Sequence, residues 1–241
     1  MTAKVRRRED RREFLKAAAA TGLALAAMPH AARAQAKLKL GFVGSGHIGG
    51  TLGSLWHKAG HEVMFSSLDL EHDKQLAAGL GARAHAGTTR EAAAFGDAIL
   101  IAVPYSALPT VGKEIADLLK GKVVIDACNP IVARDGEIAS WAHEKGAGLA
   151  SAELLPGARL VRAFNAIGYG RLQEAGARNS AMPIAGDDAK ALEIASGLVR
   201  EIGLEPVVVG GLAMGKYLMP GTPLAGEHTA AQIREIAATL K

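Results

Sequence analysis

Three glycines, Gly44, Gly46 and Gly49, follow the apolar segment 39–43 at the spacing G-x-G-x-x-G. At this spacing the first glycine permits a tight turn and the second lets a phosphate approach the backbone. The third allows the following helix to pack closely on the strand. The free N–H groups at the start of that helix, with the positive end of its dipole, favour an anion. Residues 44–49 are therefore predicted to bind the pyrophosphate of a dinucleotide mainly through their backbone.

The segments that follow the glycines fit this prediction. Residues 51–59 have the amphipathic pattern of a helix, and residues 62–66 have the pattern of a second strand. The dinucleotide-binding motif requires this order of strand, glycines, helix and strand. The alternative interpretation is a glycine-rich turn that binds no ligand.

The end of the second predicted strand is where the adenosine ribose of a dinucleotide is expected. Ser66 and Ser67 occupy this place. An acidic residue here would accept from the 2′-hydroxyl of NAD and repel the 2′-phosphate of NADP, whereas a serine can donate to the phosphate. The two serines therefore favour NADP. Asp69 lies two residues later and would serve NAD if the turn curls back, so NAD remains the alternative.

Strand and helix patterns alternate along the chain. Strands are predicted at residues 39–43, 62–66, 83–85, 97–103, 122–127, 159–164, 182–186 and 205–209. Helices are predicted at residues 51–59, 70–78, 88–95, 105–119, 137–145, 187–202 and 229–240. The alternation predicts an α/β fold with a doubly wound, mostly parallel sheet and a small C-terminal α/β extension.

Other segments lack a clear period. Residues 152–155 are expected to form a short turn, residues 168–170 a flexible link, and residues 212–219 a helix or a mobile lid.

In doubly wound sheets, ligands bind beyond the carboxyl ends of the strands. The predicted strand ends should therefore converge on one crevice; they are Gly44, Ser66, Val103 and Asn129.

Residues 1–34 have the pattern of an export signal, with a basic segment at 4–12 and a small, apolar run at 17–27. Arg11 and Arg12, followed by Phe-Leu and Lys, resemble a twin-arginine signal, although Asp10 stands where such signals usually have Ser or Thr. This resemblance implies the twin-arginine export machinery as a partner and a periplasmic or secreted location. An ordinary secretory signal and an uncleaved anchor are the alternatives.

The signal also explains the high isoelectric point of the chain. Eight of the 28 basic and three of the 24 acidic side chains lie in residues 1–34, which leaves 20 basic and 21 acidic side chains in the rest. This balance does not suggest a nucleic-acid surface. Cys128 is the only cysteine, so no disulfide can form within the chain.

Four segments together resemble the F420-dependent NADP oxidoreductases. They are GFVGSGHIG at 41–49, VIDACNP at 124–130, LPGARLVRAFN at 155–165 and PIAGDD at 183–188. The resemblance implies an NAD(P)-binding Rossmann domain at residues 35–170, with a small C-terminal portion at 171–241 packed on the same core. It also implies an enzyme that transfers a hydride between NADP(H) and a flavin-like small molecule, the deazaflavin coenzyme F420.

The same resemblance implies which residues bind the cofactor. Ser67 corresponds to the serine that meets the 2′-phosphate, but Leu68 stands where the family usually has Arg, and His72 occupies a later basic position. The implied contacts to the pyrophosphate and nicotinamide complete the predicted site; they are Ser45, Gly46, His47 and Ile48 at the pyrophosphate, and Val103, Pro104 and nearby Ala163 at the nicotinamide.

Direct hydride transfer between two rings depends mainly on positioning, and the cofactors supply the electronics. We therefore name no catalytic residue and no metal ligand. Cys128 is interpreted as a small packing residue rather than a redox thiol, and His47 as a contributor of its backbone N–H. Reduction of FMN or of a ferric chelate, and dinucleotide binding without turnover, are the alternative functions. A homodimer is compatible with the sequence.

Overall fold

The computed structural model describes residues 37–174 and 180–240. Its strands are β1 Lys39–Val43, β2 Glu62–Ser66, β3 Ala84–Ala86, β4 Ala98–Ile101, β5 Val123–Asp126, β6 Arg159–Arg162, β7 Ala181–Gly186 and β8 Glu205–Gly210. Its α-helices are α1 His47–Lys58, α2 Leu70–Leu80, α3 Thr89–Phe95, α4 Leu108–Glu114, α5 Ala116–Leu119, α6 Val132–Asp135, α7 Glu137–Lys145, α8 Ala147–Leu154, α9 Tyr169–Gln173, α10 Ala189–Glu201 and α11 Ala230–Thr239. Two 3-10 helices span Tyr105–Ala107 and Leu212–Tyr217.

The strands form one eight-stranded sheet in the order β3-β2-β1-β4-β5-β6-β7-β8. Neighbouring strands are parallel except β6 and β7, which are antiparallel. The order reverses between β1 and β4, and this is where an open α/β sheet forms its ligand crevice. The predicted doubly wound, mostly parallel α/β fold is confirmed, and β7 and β8 extend the same sheet as a C-terminal addition.

Apolar side chains cover both faces of the central strands. Leu100 and Ile125 belong to a buried cluster on one face, together with Trp56 of α1. Ile99 and Val124, one residue earlier on the same two strands, belong to the cluster on the other face. Successive side chains of a strand point to opposite faces, so a strand that is covered on both is apolar along most of its length.

Several helices differ from the predictions. The predicted helix at 105–119 is a 3-10 turn followed by α4 and α5, and Pro109 lies in the first turn of α4, where a missing N–H is tolerated. Helix α8 replaces the predicted turn at 152–155, and α9 begins within the predicted link at 168–170. The Ala-, Gly- and Ser-rich sequence of α8 has little apolar period, because it packs closely through Gly148 against Leu212.

The predicted export signal, residues 1–34, lies outside the described residues. Within 37–174 and 180–240, the helices are too short or too polar to cross a membrane. The segment expected to be a helix or a lid at 212–219 contains the 3-10 helix Leu212–Tyr217.

Candidate functional site

Two of the three glycines are required by the close packing of the loop between β1 and α1. Gly44 has φ +98°, and a Cβ atom there would lie 2.4 Å from the carbonyl oxygen of Ala102 on the neighbouring chain segment. A Cβ atom at Gly49 would lie 1.8 Å from the carbonyl oxygen of Gly44. These positions explain the first and third glycines of the motif by steric contact alone.

Gly46 differs from the other two glycines because its Cβ position faces open space, with no atom within 4 Å. It is the N-cap of α1, and no side chain caps this helix end. The first turn of α1 contains no acidic residue, and the first helical hydrogen bond joins the Gly50 N–H to the Gly46 carbonyl at 2.7 Å. The N–H groups of His47, Ile48 and Gly49 precede that bond, so an anion can approach them over Gly46.

His47 is exposed, and its ring stacks on the ring of Tyr169 at the start of α9. The ring centroids are 4.4 Å apart and the planes are inclined by 13°. Tyr169 is therefore a neighbour of the phosphate loop that the sequence did not reveal. Its glycine neighbours suggested a link, and the only signal was an aromatic residue between them.

A buried carboxylate lies between the phosphate loop and the end of β2. Asp73 of α2 is fully buried, and its Oδ1 accepts a short hydrogen bond from the hydroxyl of Ser45. Its Oδ2 accepts from the hydroxyl of Ser67 at 2.9 Å. Asp73 was not among the predicted site residues, because its place on a helix separated it from the strand end in the sequence pattern.

The residues beside Ser67 differ from expectation in their exposure. Ser66 is fully buried, and its hydroxyl donates to the carbonyl oxygen of Phe42 at 2.8 Å, so this side chain supports the strands rather than facing a ligand. Leu68, the residue after Ser67, is completely exposed. An open cleft of about 500 Å³ begins at the phosphate loop and has His72 at its edge.

The opposite wall of the crevice follows β4 and β5. Val103 is half-buried and Pro104 is exposed, so both have surface beyond the end of β4. Asn129 is half-buried, and its Nδ2 donates to the carbonyl oxygen of Asn165 at 2.9 Å. Ala163 is fully buried within the core, so its methyl group has no surface with which to line the crevice.

The amide oxygens of Asn129 and Asn165 are buried and have no hydrogen-bond partner among the described residues. Asn165 follows Phe164, the only residue other than glycine with positive φ in the described part of the chain, at φ 68°. Such a conformation is costly and is usually held in place by its surroundings. Here the Phe164 ring packs edge-on against Trp56, with centroids 5.6 Å apart.

Asp135 holds together the two loops that form this wall. Its carboxylate accepts from the N–H and hydroxyl of Ser106, at 3.2 and 3.1 Å, from the Ile131 N–H at 2.9 Å, and from Arg134. Arg134 also donates to the carbonyl oxygen of Asn129 at 2.8 Å. Burial alone would raise the pKa of Asp135, but the hydrogen bonds from Arg134, Ile131 and Ser106 outweigh it and hold the pKa well below its ordinary value.

Cys128 lies at the end of β5 and is buried. Burial, reinforced by the nearby Asp126 carboxylate, raises the pKa of its thiol well above the ordinary value. The thiolate is the reactive form of cysteine, so this environment suppresses redox chemistry and agrees with a packing role. The described residues also contain no group of three or more His, Cys, Asp or Glu side chains that could hold a metal ion.

Comparison with known proteins gives two matches that point to the same family. A family model described as NADP oxidoreductase, coenzyme F420-dependent, matches residues 39–130. The F420-dependent NADP reductase of Methanothermobacter thermautotrophicus is 30% identical over 197 residues, which cover 75% of this chain and 84% of that protein. The family model spans β1 to β5.

Solved structures share the fold at lower identity. A hypothetical protein from Sinorhizobium meliloti has a TM-score of 0.65 and 24% identity, over 80% of this chain and 95% of that one. A candidate F420-dependent NADP reductase from Arthrobacter sp. FB24 has a TM-score of 0.64 and 18% identity, over 74% and 87% of the two chains. An imine reductase from a Pseudomonas species has a TM-score of 0.56 and 16% identity, over 74% of this chain and 57% of that one.

Proposed function

Because this chain belongs to the family of F420-dependent NADP oxidoreductases, we propose that it transfers a hydride between a nicotinamide dinucleotide and a flavin-like acceptor, coenzyme F420. The name of the family specifies NADP(H) as the dinucleotide. The observation that supports this proposal best is the start of α1 at Gly46, which no side chain caps and where the Cβ position faces open space. An anion of the size of a pyrophosphate can be bound there by backbone donors and the helix dipole.

When bound, the dinucleotide supplies a nicotinamide ring that donates or accepts a hydride. The residues of this chain bind and orient the two reactants. Gly46 admits the phosphates, and Val103 and Pro104 form an apolar surface at the carboxyl end of β4. The buried amide oxygens of Asn129 and Asn165 are acceptors that suit a carboxamide N–H at the opposite wall.

Positioning of this kind can supply most of the acceleration, since holding two reactants in the correct geometry removes about 7–11 kcal/mol from a barrier in favourable cases. Hydride transfer from ring to ring requires no protonated or deprotonated side chain. The residues proposed to lie beside the nicotinamide, Val103 and Pro104, are apolar, which agrees with this. The Cys128 thiol is not needed for the reaction.

The direct test is to mix the purified full chain with NADPH or NADH and with oxidised F420, FMN or a ferric chelate, and to follow both the dinucleotide and the acceptor by absorbance. We expect turnover with F420 that exceeds turnover with FMN and the chelate. Faster reduction of FMN or the chelate would replace F420 as the proposed acceptor. Dinucleotide binding without turnover on any of the three would replace the enzyme by a binding protein.

A variant that fills the open space at Gly46 tests the site itself. Gly46→Val adds a side chain where the structure has open space and extended backbone, so the fold should tolerate it while the pyrophosphate is excluded. Gly79→Ala is the matched control, because its Cβ position is also open but lies on α2, away from the loop. We expect dinucleotide binding to be lost only in Gly46→Val, with both melting temperatures close to that of the parent. Unchanged binding by Gly46→Val would contradict the proposed site.

We also propose that residues 1–34 direct export by the twin-arginine route, which carries folded proteins and would allow a cofactor to be bound beforehand. The support is the Arg11-Arg12 pair and the apolar run behind it. Replacement of both arginines by lysine should retain the protein in the cytoplasmic fraction. Export that continues in this variant would point to the ordinary secretory route.

A further inference from the structure

We propose that Asp73 is a specificity-determining residue that makes this site favour NAD(H) over NADP(H). This inference rests on the proposed dinucleotide site and departs from the cofactor in the family name. It is carried by three observations: the hydrogen bonds of Ser45 and Ser67 to Asp73, the exposed Leu68, and the carboxylate that already caps α2.

The first step concerns hydrogen-bond donors. An ionised carboxylate only accepts hydrogen bonds, and a serine hydroxyl has a single proton to donate. Asp73 accepts from Ser45 through Oδ1 and from Ser67 through Oδ2. The other close acceptor for Ser67 is the carbonyl oxygen of Asp69, at 3.2 Å compared with 2.9 Å for Asp73. The proton of Ser67 is therefore used inside the protein and is not available to a phosphate.

The second step concerns what Ser67 still offers. Its oxygen accepts the N–H of Asp69 at 3.1 Å and has a second lone pair. A ribose 2′-hydroxyl can donate to that lone pair, whereas a dianionic 2′-phosphate has only acceptor oxygens to present. For Ser67 to donate to a phosphate, its hydroxyl would have to leave Asp73, whose fully buried Oδ2 would then lose its hydrogen bond.

The third step concerns charge. Leu68, the residue next to Ser67, offers no cation, and its side chain is fully exposed. At the N-terminus of α2, Asp69 already accepts the N–H of His72 at 3.0 Å. Lys74 is paired with Glu71 at 2.6 Å. A 2′-phosphate would thus meet a carboxylate behind Ser67 and another on the helix end.

The test is titration calorimetry of the full chain with NADH and NADPH, and with AMP and its 2′-phosphorylated form, which isolate the ribose subsite. We expect NADH to bind about tenfold more tightly than NADPH, the equivalent of about 1.4 kcal/mol. NADPH that binds as tightly as NADH, or more tightly, would overturn the inference and leave the dinucleotide site intact. Absence of binding by either dinucleotide would overturn the proposed function and this inference with it.

The variant Asp73→Asn tests whether Asp73 causes the preference for NADH over NADPH. The Asn amide can donate to one serine, which frees that hydroxyl proton for a ligand. We expect NADPH affinity to rise about tenfold and NADH affinity to stay within about threefold, since one hydrogen bond to a charged group is gained. Asp69→Asn is the matched control, because it removes one negative charge nearby while Asn remains a good N-cap. An equal rise in NADPH affinity in both variants would contradict the specific role of Asp73.

Leu68→Arg keeps the inference testable if Asp73→Asn does not fold. Its side chain lies wholly in solvent, so the substitution should leave the melting temperature unchanged. A guanidinium can bind a phosphate through two parallel hydrogen bonds, and we expect about a tenfold gain for NADPH with little change for NADH. No gain for NADPH would show that residue 68 does not face the ribose subsite, and would overturn the charge argument.

Discussion

Asp126 of β5 and Arg162 of β6 form an ion pair whose side chains are both completely buried, with Oδ2 and Nη1 2.5 Å apart. The pair holds the backbone just after β5: Asp126 also accepts the Cys128 N–H at 2.8 Å, and Arg162 donates to the Cys128 carbonyl at 3.1 Å. The carboxylate and guanidinium thus fix both backbone groups of the residue that leads to Asn129. The relationship links the core of the sheet to the position of the predicted site.

Removal of one member of this pair should be strongly destabilising. Arg162→Met leaves the Asp126 carboxylate buried without its partner, and we expect a loss of about 3–5 kcal/mol in the free energy of unfolding. The double variant Asp126→Asn with Arg162→Met removes the uncompensated charge and should recover part of the loss. Urea denaturation of the three proteins measures both effects. A double variant no more stable than Arg162→Met would contradict the account based on the buried charge.

Asp135 should make stability fall in acid. The pKa of Asp135 is lower in the folded protein than the ordinary value of about 3.9 in the unfolded chain, so ionised Asp135 stabilises the fold. This contribution is fully present above the unfolded pKa and is lost progressively as the pH falls below about 5. Asp135→Asn should therefore be less stable than the parent at neutral pH, with a smaller further loss in acid.

Thermal melts of both proteins between neutral pH and pH of about 3 measure this difference, the range following from the ordinary pKa of Asp. Glu144→Gln is the control, because Glu144 is an exposed carboxylate on α7 and forms no part of the loop contacts. Parallel pH profiles for the parent and Asp135→Asn would show that Asp135 does not supply the acid sensitivity.

The stack between Tyr169 and His47 should tighten dinucleotide binding. Tyr169→Ala removes the ring that orders His47 at the start of α1, and aromatic pairs contribute about 0.5–1.5 kcal/mol beyond their burial. We expect the dissociation constant of the dinucleotide to rise about two- to tenfold, whereas Tyr169→Phe should retain the parent value. Fluorescence titration measures both. A loss of affinity as large in Tyr169→Phe as in Tyr169→Ala would mean that the hydroxyl, not the stacked ring, matters.

Cys128 should be unreactive in the native protein. Its thiol is buried and its pKa is raised by that burial and by Asp126, so little thiolate is present near neutral pH. Labelling by a disulfide reagent should be slow in buffer and fast in urea, and Cys128→Ala should retain hydride transfer to within about threefold, since buried Cys acts as a small apolar residue. Rapid labelling of the native protein, or loss of turnover in Cys128→Ala, would restore a redox role for the thiol.

Local patterns predicted most of the strands and the phosphate loop. The apolar run at 97–103 predicted β4, and β4 is buried throughout at Ala98–Ile101. Thr88 and Glu91 predicted a capped helix start, and both reciprocal hydrogen bonds of the capping box are present at the start of α3. These features depend on neighbours within one turn or one strand, so a single sequence contains the information.

The failures have a common physical cause. Helix α8 is rich in small residues and was predicted only as a turn, because its reason for being helical is close contact with another segment at Leu212. The hydroxyl of Ser66 was expected to face a ligand, but it bonds to Phe42 on the adjacent strand. In both cases the local structure depends on a residue that is distant in the chain. The periodicity of the local sequence does not reveal that residue.

By itself, the sequence determined the alternating α/β architecture and the glycine loop, because strand and helix periods and steric needs for glycine are local properties. Only the tertiary structure decided how the hydroxyls of Ser45 and Ser67, at the proposed ribose subsite, are bonded. Asp73 is 28 residues from Ser45 and six from Ser67, and only the packing of α2 beside the loop brings its carboxylate to both hydroxyls. Because a hydroxyl has one proton, that packing determines whether Ser67 can donate to a ligand, which its position in the sequence did not reveal.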